Sequence, residues 1–271
     1  MKIIVSLDVE SVIDARPIVD AFKNDNRVAG YKIGFMLGLT GLEHAVNLIR
    51  SRDYGKSLII YDHQKGGTDI PDMGTKFAHI MHKCGVDAAI LFPLTGPATL
   101  EAWYKALTEE DIATIVGGYM THPKFSLDEG GYVANNAAEW SIYKFALELG
   151  VRNFVMPGNK IEITKKILNL VRDKMPTDSN QHFINVFSPG IKTQGGDIQD
   201  LLHIMNGVEF FPIVGRAIYE AKDPMTALNE LIPCNPGNEI TFRSERCPIC
   251  WSDVILSEGS YACQRCDWGH A

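Results

Sequence analysis

From residue 3 to about residue 232 the chain alternates between two hydrophobic patterns. Short runs rich in β-branched and aromatic residues, each six or seven long, read as strands buried on both faces. They are IIVSLD (3–8), AGYKIG (29–34), SLIIYD (57–62), DAAILF (87–92), ATIVGGY (113–119), RNFVMP (152–157), HFINVF (182–187) and FFPIVG (210–215). Between them lie longer stretches whose apolar positions recur three and four apart, which is the spacing of a helix with one buried stripe. Examples are GLEHAVNLIRSR (41–52), GTKFAHIMHKCG (74–85), EWSIYKFALELG (139–150) and IEITKKILNLVRDK (161–174).

Eight strand–helix units in this length predict a (β/α)₈ (TIM) barrel of the α/β class, with an open doubly wound sheet as the competing arrangement. The polar residues favour closure. Asp8, Lys32, Asp62, Thr121, Gln194 and Arg216 all fall at or just past the end of a predicted strand, and only a closed sheet brings those ends to one rim. Residues 1–232 are therefore expected to form the barrel domain, 233–244 a linker rich in Pro, Asn and Gly, and 245–271 a separate appendage.

The composition fits a folded enzyme-sized domain, with 45% hydrophobic and 22% charged residues in 271. The net charge of −7 disfavours broad attraction to nucleic acid or anionic lipid, so an anionic ligand would need a dedicated pocket. No run approaches the ~20 apolar residues of a membrane span. An acid interrupts the opening MKIIVSLDVE where a signal peptide would stay apolar, so the expected compartment is the cytoplasm.

Two glycine-rich turns carry the clearest sign of an anion. SPGIKTQGGD (188–197) and IVGRAIY (213–219) each place glycine where a strand hands over to a helix, and the second adds the guanidinium of Arg216. Either alone also serves as a tight turn, but together, after strands seven and eight, they occupy the usual phosphate position of such barrels. Asp8 and Lys32 interrupt otherwise apolar runs, and a charge at the end of a buried strand must be paired or functional. The segment YDHQKGGTDIPD (61–72) brackets one lysine with acids, a pattern shared by solvated loops and by proton-transfer arrays.

Taken in order, LD at strand one, YKIG at strand two, the Asp–Lys–Asp cluster ending in DIP, MTHP after strand five, PGIKTQGGD and VGRAIY resemble the orotidine 5′-phosphate decarboxylase family. The resemblance spans nearly the whole barrel. It implies a metal-independent carboxy-lyase of pyrimidine biosynthesis that needs no catalytic cofactor and acts on a nucleotide substrate. Asp8 and Lys32 would contact the ribose and join a charge network with Asp62, and Lys65 would donate the proton. Asp69 would reach the partner's site in a homodimer. Thr121 would meet the pyrimidine amide, while Gln194 and Arg216, with the backbone of Pro189 and Gly215, would hold the 5′-phosphate. Related barrels that act on sugar phosphates through Mg²⁺ carry an acid where this chain has Lys32, which argues for the pyrimidine substrate.

The family spacing is Asp-x-Lys-x-x-Asp, whereas Asp62, Lys65 and Asp69 stand one residue further apart on each side. In a straight strand Gln64, not Lys65, would share the face of Asp62, so Lys65 serves only if the chain bulges or turns there, as Gly66 and Gly67 permit. His63 is then the spare candidate for proton transfer, expected otherwise as a hydrogen-bonded neighbour.

The last 25 residues hold Cys247, Cys250, Cys263 and Cys266 as two C-x-x-C pairs twelve residues apart, the spacing of a four-thiolate zinc ribbon. So short a segment has little core of its own and needs such a staple. His270 could replace one ligand. A ribbon could contact nucleic acid through Trp251, Tyr261 and Trp268, and a non-catalytic nucleic-acid-binding protein is the alternative from a different class. Residues 233–271 carry three arginines, no lysine and five acids, so a structural or subunit-contact role is favoured.

Overall fold

The computed structural model describes residues 1–53, 55–63, 68–174, 184–192 and 194–233, together with the backbone of three short strands in the tail. Eight parallel strands close on one another: β1 (Ile3–Leu7), β2 (Val28–Gly34), β3 (Leu58–Asp62), β4 (Ala88–Leu91), β5 (Ala113–Gly117), β6 (Asn153–Val155), β7 (Asn185–Ser188) and β8 (Glu209–Val214). Closure is made by β1 against β8, with Ile4 opposite Ile213 and Val5 opposite Val214. The expected barrel is thus the observed one, and the open sheet is excluded.

Two apolar layers account for it. Inside the barrel, Ile4, Leu58, Ile60, Ile90, Phe187, Phe211 and Ile213 belong to one buried cluster, with the Phe187 and Phe211 rings stacked at 5.0 Å. Outside, the opposite strand faces pack on the helices α1 (Val12–Ala21), α2 (Phe35–Asp53), α3 (Met73–Lys83), α4 (Pro97–Glu109), α5 (Ile142–Leu149), α6 (Ile161–Asp173), α7 (Ile198–Ile204), α8 (Arg216–Tyr219) and α9 (Pro224–Leu231). Burial on both faces is why the strands read as continuous apolar runs.

Helix starts follow local chemistry. Ser11 caps α1 by accepting from the Asp14 N–H, and Asp197 caps α7 by accepting from the Gln199 N–H at 2.7 Å. α2 begins at Phe35, six residues before the expected start, and two helical pieces meet at Gly41. Its first turn is held by burial of Leu37 and by the close approach of Gly38 to the Tyr61 ring, where a Cβ would lie 2.5 Å from Cε2. β5 stops two residues short of expectation, because the Gly118 N–H donates to the Tyr143 hydroxyl rather than to a neighbouring strand.

In the tail, β9 (Val254–Ser257), β10 (Ser260–Cys263) and β11 (Gly269–His270) form an antiparallel sheet in the order β11-β10-β9. The expected linker at 233–244 lies, apart from Pro233, outside the described residues, as do Cys247, Cys250 and Cys266.

Candidate active site

Parallel closure puts the C-terminal ends of all eight strands on one rim. Alternation along each strand then decides what faces the lumen. Ile4, Ser6 and Asp8 follow one another at a spacing of two, as do Leu58, Ile60 and Asp62, so apolar residues fill the interior and carboxylates crown it. Lys32 of β2 lies between them, paired in register with Ser6 on one side and Ile60 on the other.

Its ammonium is 3.2 Å from Asp8 Oδ1 and 3.1 Å from Asp62 Oδ2, and its side chain is only 7% exposed. Burial alone would lower its pKa, but the carboxylates of Asp62 and Asp8 outweigh that and push it up to about 12. The lysine is therefore a fixed positive charge at any working pH. Asp8 is oriented on its other oxygen by the Ser6 hydroxyl, which donates at 2.7 Å. Gly34 clears room for this carboxylate: a Cβ there would come within 2.2 Å of Asp8 Oδ1.

β3 ends at Asp62, and the next residue already leaves the strand. His63 has Nδ1 2.6 Å from the Tyr61 hydroxyl, as a hydrogen-bonded neighbour of that tyrosine. Gln64 and Lys65 themselves lie outside the described residues. Asp69 is exposed; one of its carboxylate oxygens accepts from the Ile70 N–H, and its carbonyl accepts from the Thr99 hydroxyl at 3.0 Å. Neither of these contacts joins it to Lys32.

A second cluster surrounds the turn after β7. Gly190 has φ +90°, and a Cβ there would meet Thr121 Cγ2 at 3.0 Å, Asn159 Oδ1 at 3.1 Å and Gln194 Oε1 at 3.2 Å. Thr121, Gln194 and the Pro189–Gly190 turn, expected to share a ligand, do converge. The turn is tied to the β6–α6 connection by the Gly158 N–H, which donates to the Pro189 carbonyl at 2.8 Å. Arg216 stands exposed as the first residue of α8, directly after Gly215.

Sequence reasoning missed three residues here. Ser6 was legible as the residue two before Asp8 on the same strand face. Asn159 and Lys160 were not, because their partners are 31 to 38 residues away. Lys160 donates to Glu129, whose carboxyl is pushed up by burial but brought below its ordinary value by Lys160 and the Phe125 N–H. Among the described residues no group of three or more His, Cys, Asp or Glu is placed to hold a metal ion.

Comparison with known proteins adds to this geometry. A model of the "Orotidine 5′-phosphate decarboxylase / HUMPS family" matches residues 1–231. The orotidine 5′-phosphate decarboxylase of Methanosarcina mazei is 29% identical over 229 residues, covering 84% of this chain and 92% of its own. That of Methanosphaera stadtmanae is 29% identical over 236 residues, covering 85% and 95%. Among solved structures, the orotidine 5′-monophosphate decarboxylase of Methanocaldococcus jannaschii complexed with the inhibitor BMP superposes with a TM-score of 0.70 at 25% identity, covering 84% of this chain and 95% of that one. With the family match spanning the entire barrel, the chain belongs to the orotidine 5′-phosphate decarboxylase / HUMPS family.

Proposed function

We propose that the chain converts orotidine 5′-monophosphate to uridine 5′-monophosphate and CO₂, as a metal-independent carboxy-lyase of pyrimidine biosynthesis. The observation that carries this is the ammonium of Lys32 held between Asp8 and Asp62 at the mouth of the barrel. A cation fixed there repels a divalent metal, which separates this reading from Mg²⁺-dependent chemistry on sugar phosphates.

The chemistry follows from charge. The C6–carboxylate bond breaks, its electron pair stays on C6, and a proton from the Lys65 ammonium closes the reaction, the lysine being recharged from solvent. Asp62 stands beside the scissile carboxylate and raises its energy by like-charge repulsion. Arg216 and the glycine-rich turns grip the 5′-phosphate, and that remote binding holds the ring in this unfavourable place. Asp8 and Lys32 take the ribose, Thr121 the pyrimidine amide and Gln194 the phosphate side.

Two chains form a homodimer in which Asp69 completes the partner's site, supported by the exposure of Asp69 and of its neighbour Ile70. The domains we infer are the barrel to residue 232, a linker, and from 245 a ribbon in which Cys247, Cys250, Cys263 and Cys266 hold a structural zinc. Supporting the ribbon, β9 and β10 pair so that Val254 lies opposite Cys263, which brings the strand that follows the first C-x-x-C pair to the start of the second. Thiolate ligation in paired C-x-x-C motifs suits a reducing compartment, the cytoplasm.

The test is incubation with orotidine 5′-monophosphate in EDTA, following loss of absorbance. Turnover is the expected result; its absence, with activity on a sugar phosphate restored by Mg²⁺, would overturn the assignment.

A further inference from the structure

Lys160 is a largely buried cation, 14% exposed at its side chain, that the proposed chemistry does not use. It caps the start of α6, yet its side chain leaves that helix and crosses to the segment after β5. There Nζ donates to the His122 carbonyl at 2.9 Å and to Glu129 Oε1 at 2.6 Å, and lies 4.7 Å from the centroid of the Tyr119 ring. Its neighbour Asn159 donates from Nδ2 to the Thr121 carbonyl at 3.0 Å.

Within the receiving segment the His122 ring meets Phe125 edge-on at 5.6 Å, and the hydrogen bonds that tie it lie further along. Glu129 Oε2 accepts from the Phe125 N–H, Ser126 Oγ is 2.7 Å from the Tyr119 hydroxyl, and the Gly131 N–H donates to the Ser126 carbonyl. Residues 120–124 have neither helix nor strand, and Lys124 adopts a φ of +59°. The main chain of Thr121 and His122 is thus fixed from outside by Asn159 and Lys160. We infer that Lys160 is a positioning residue: clamped by Glu129, it sets the main chain of residues 121–129 and so the place of Thr121 over the base.

This rests on the proposed nucleotide reading. The phosphate turn is held by different contacts, Gly158 N–H to Pro189 O and Ser188 Oγ to Met156 O, so losing Lys160 should spare it. A merely structural role would weaken every ligand alike; a positioning role weakens only those with a base.

The experiment measures inhibition by uridine 5′-monophosphate and by ribose 5-phosphate, with turnover of orotidine 5′-monophosphate alongside, in the wild type and Lys160→Met. We expect the uridine 5′-monophosphate inhibition constant to rise about tenfold, as for a lost charge-assisted hydrogen bond. That for ribose 5-phosphate should stay within about twofold, and Lys160→Arg should recover most of the loss. Should Lys160→Met not fold, Glu129→Gln carries the same ratio. Equal rises for both ligands, or no rise for either, overturn the inference while leaving the function standing. A wild type that neither turns over the substrate nor binds uridine 5′-monophosphate overturns the function itself, and the inference with it.

Discussion

Replacing Lys32 with methionine removes the charge at the centre of the site while nearly keeping its volume. In the wild type, holding this ammonium up to about 12 against an ordinary 10.5 corresponds to roughly 2 kcal/mol in favour of the folded, charged form. Because the folded value is raised, that stability is complete below 10.5 and is lost as pH climbs through 12. Methionine forfeits it and leaves Asp8 and Asp62 facing each other. With each carboxylate within 3.2 Å of Nζ, the two are no more than about 6 Å apart, and their repulsion is about 3 kcal/mol at an effective dielectric of 20. The variant should therefore lose about 3 to 5 kcal/mol, the range for breaking a buried pair on one side. Urea unfolding followed by tryptophan fluorescence at pH 7 reads it. A loss under about 1 kcal/mol would refute the reasoning.

Arg216→Ala should cut kcat/KM about 10- to 150-fold, the value of a charge-assisted hydrogen bond, with part of the loss in kcat; a change confined to KM would show that phosphate binding does not help turnover. Mixing Lys65→Ala with Asp69→Ala, each inactive alone, should restore roughly a quarter of wild-type activity if sites are shared across a twofold dimer, and no recovery would exclude the sharing. Metal analysis of the full chain should find one zinc per chain, lost in Cys250→Ser; no zinc in either would dismiss the ribbon.

All eight strands stood out in the sequence because burial on both faces leaves little but apolar residues, and each observed strand overlaps its expected run. The edges were less legible, since they depend on distant groups. β5 gives way at Gly118 to a tyrosine from α5, and α2 starts early because Gly38 fits a ring from β3. Within the site, Asp8 and Lys32 were conspicuous as charges inside apolar runs, and their pairing with each other and Asp62 is the solution burial requires. His63 meets the Tyr61 hydroxyl, two residues back, yet nothing in the strand pattern marks where pairing stops. Lys160 and Asn159 left no trace in the sequence, because their meaning lies in contacts to Thr121, His122 and Glu129 made only when two adjacent strand ends meet.

The central claim, that an ammonium supplied by the segment after Asp62 protonates the pyrimidine ring, is met most directly by the Lys65→Ala variant. Turnover of orotidine 5′-monophosphate should fall by more than about a thousandfold, as expected when a positioned acid is removed, while uridine 5′-monophosphate still binds within about tenfold of wild type. A near-normal rate in that variant would contradict the account.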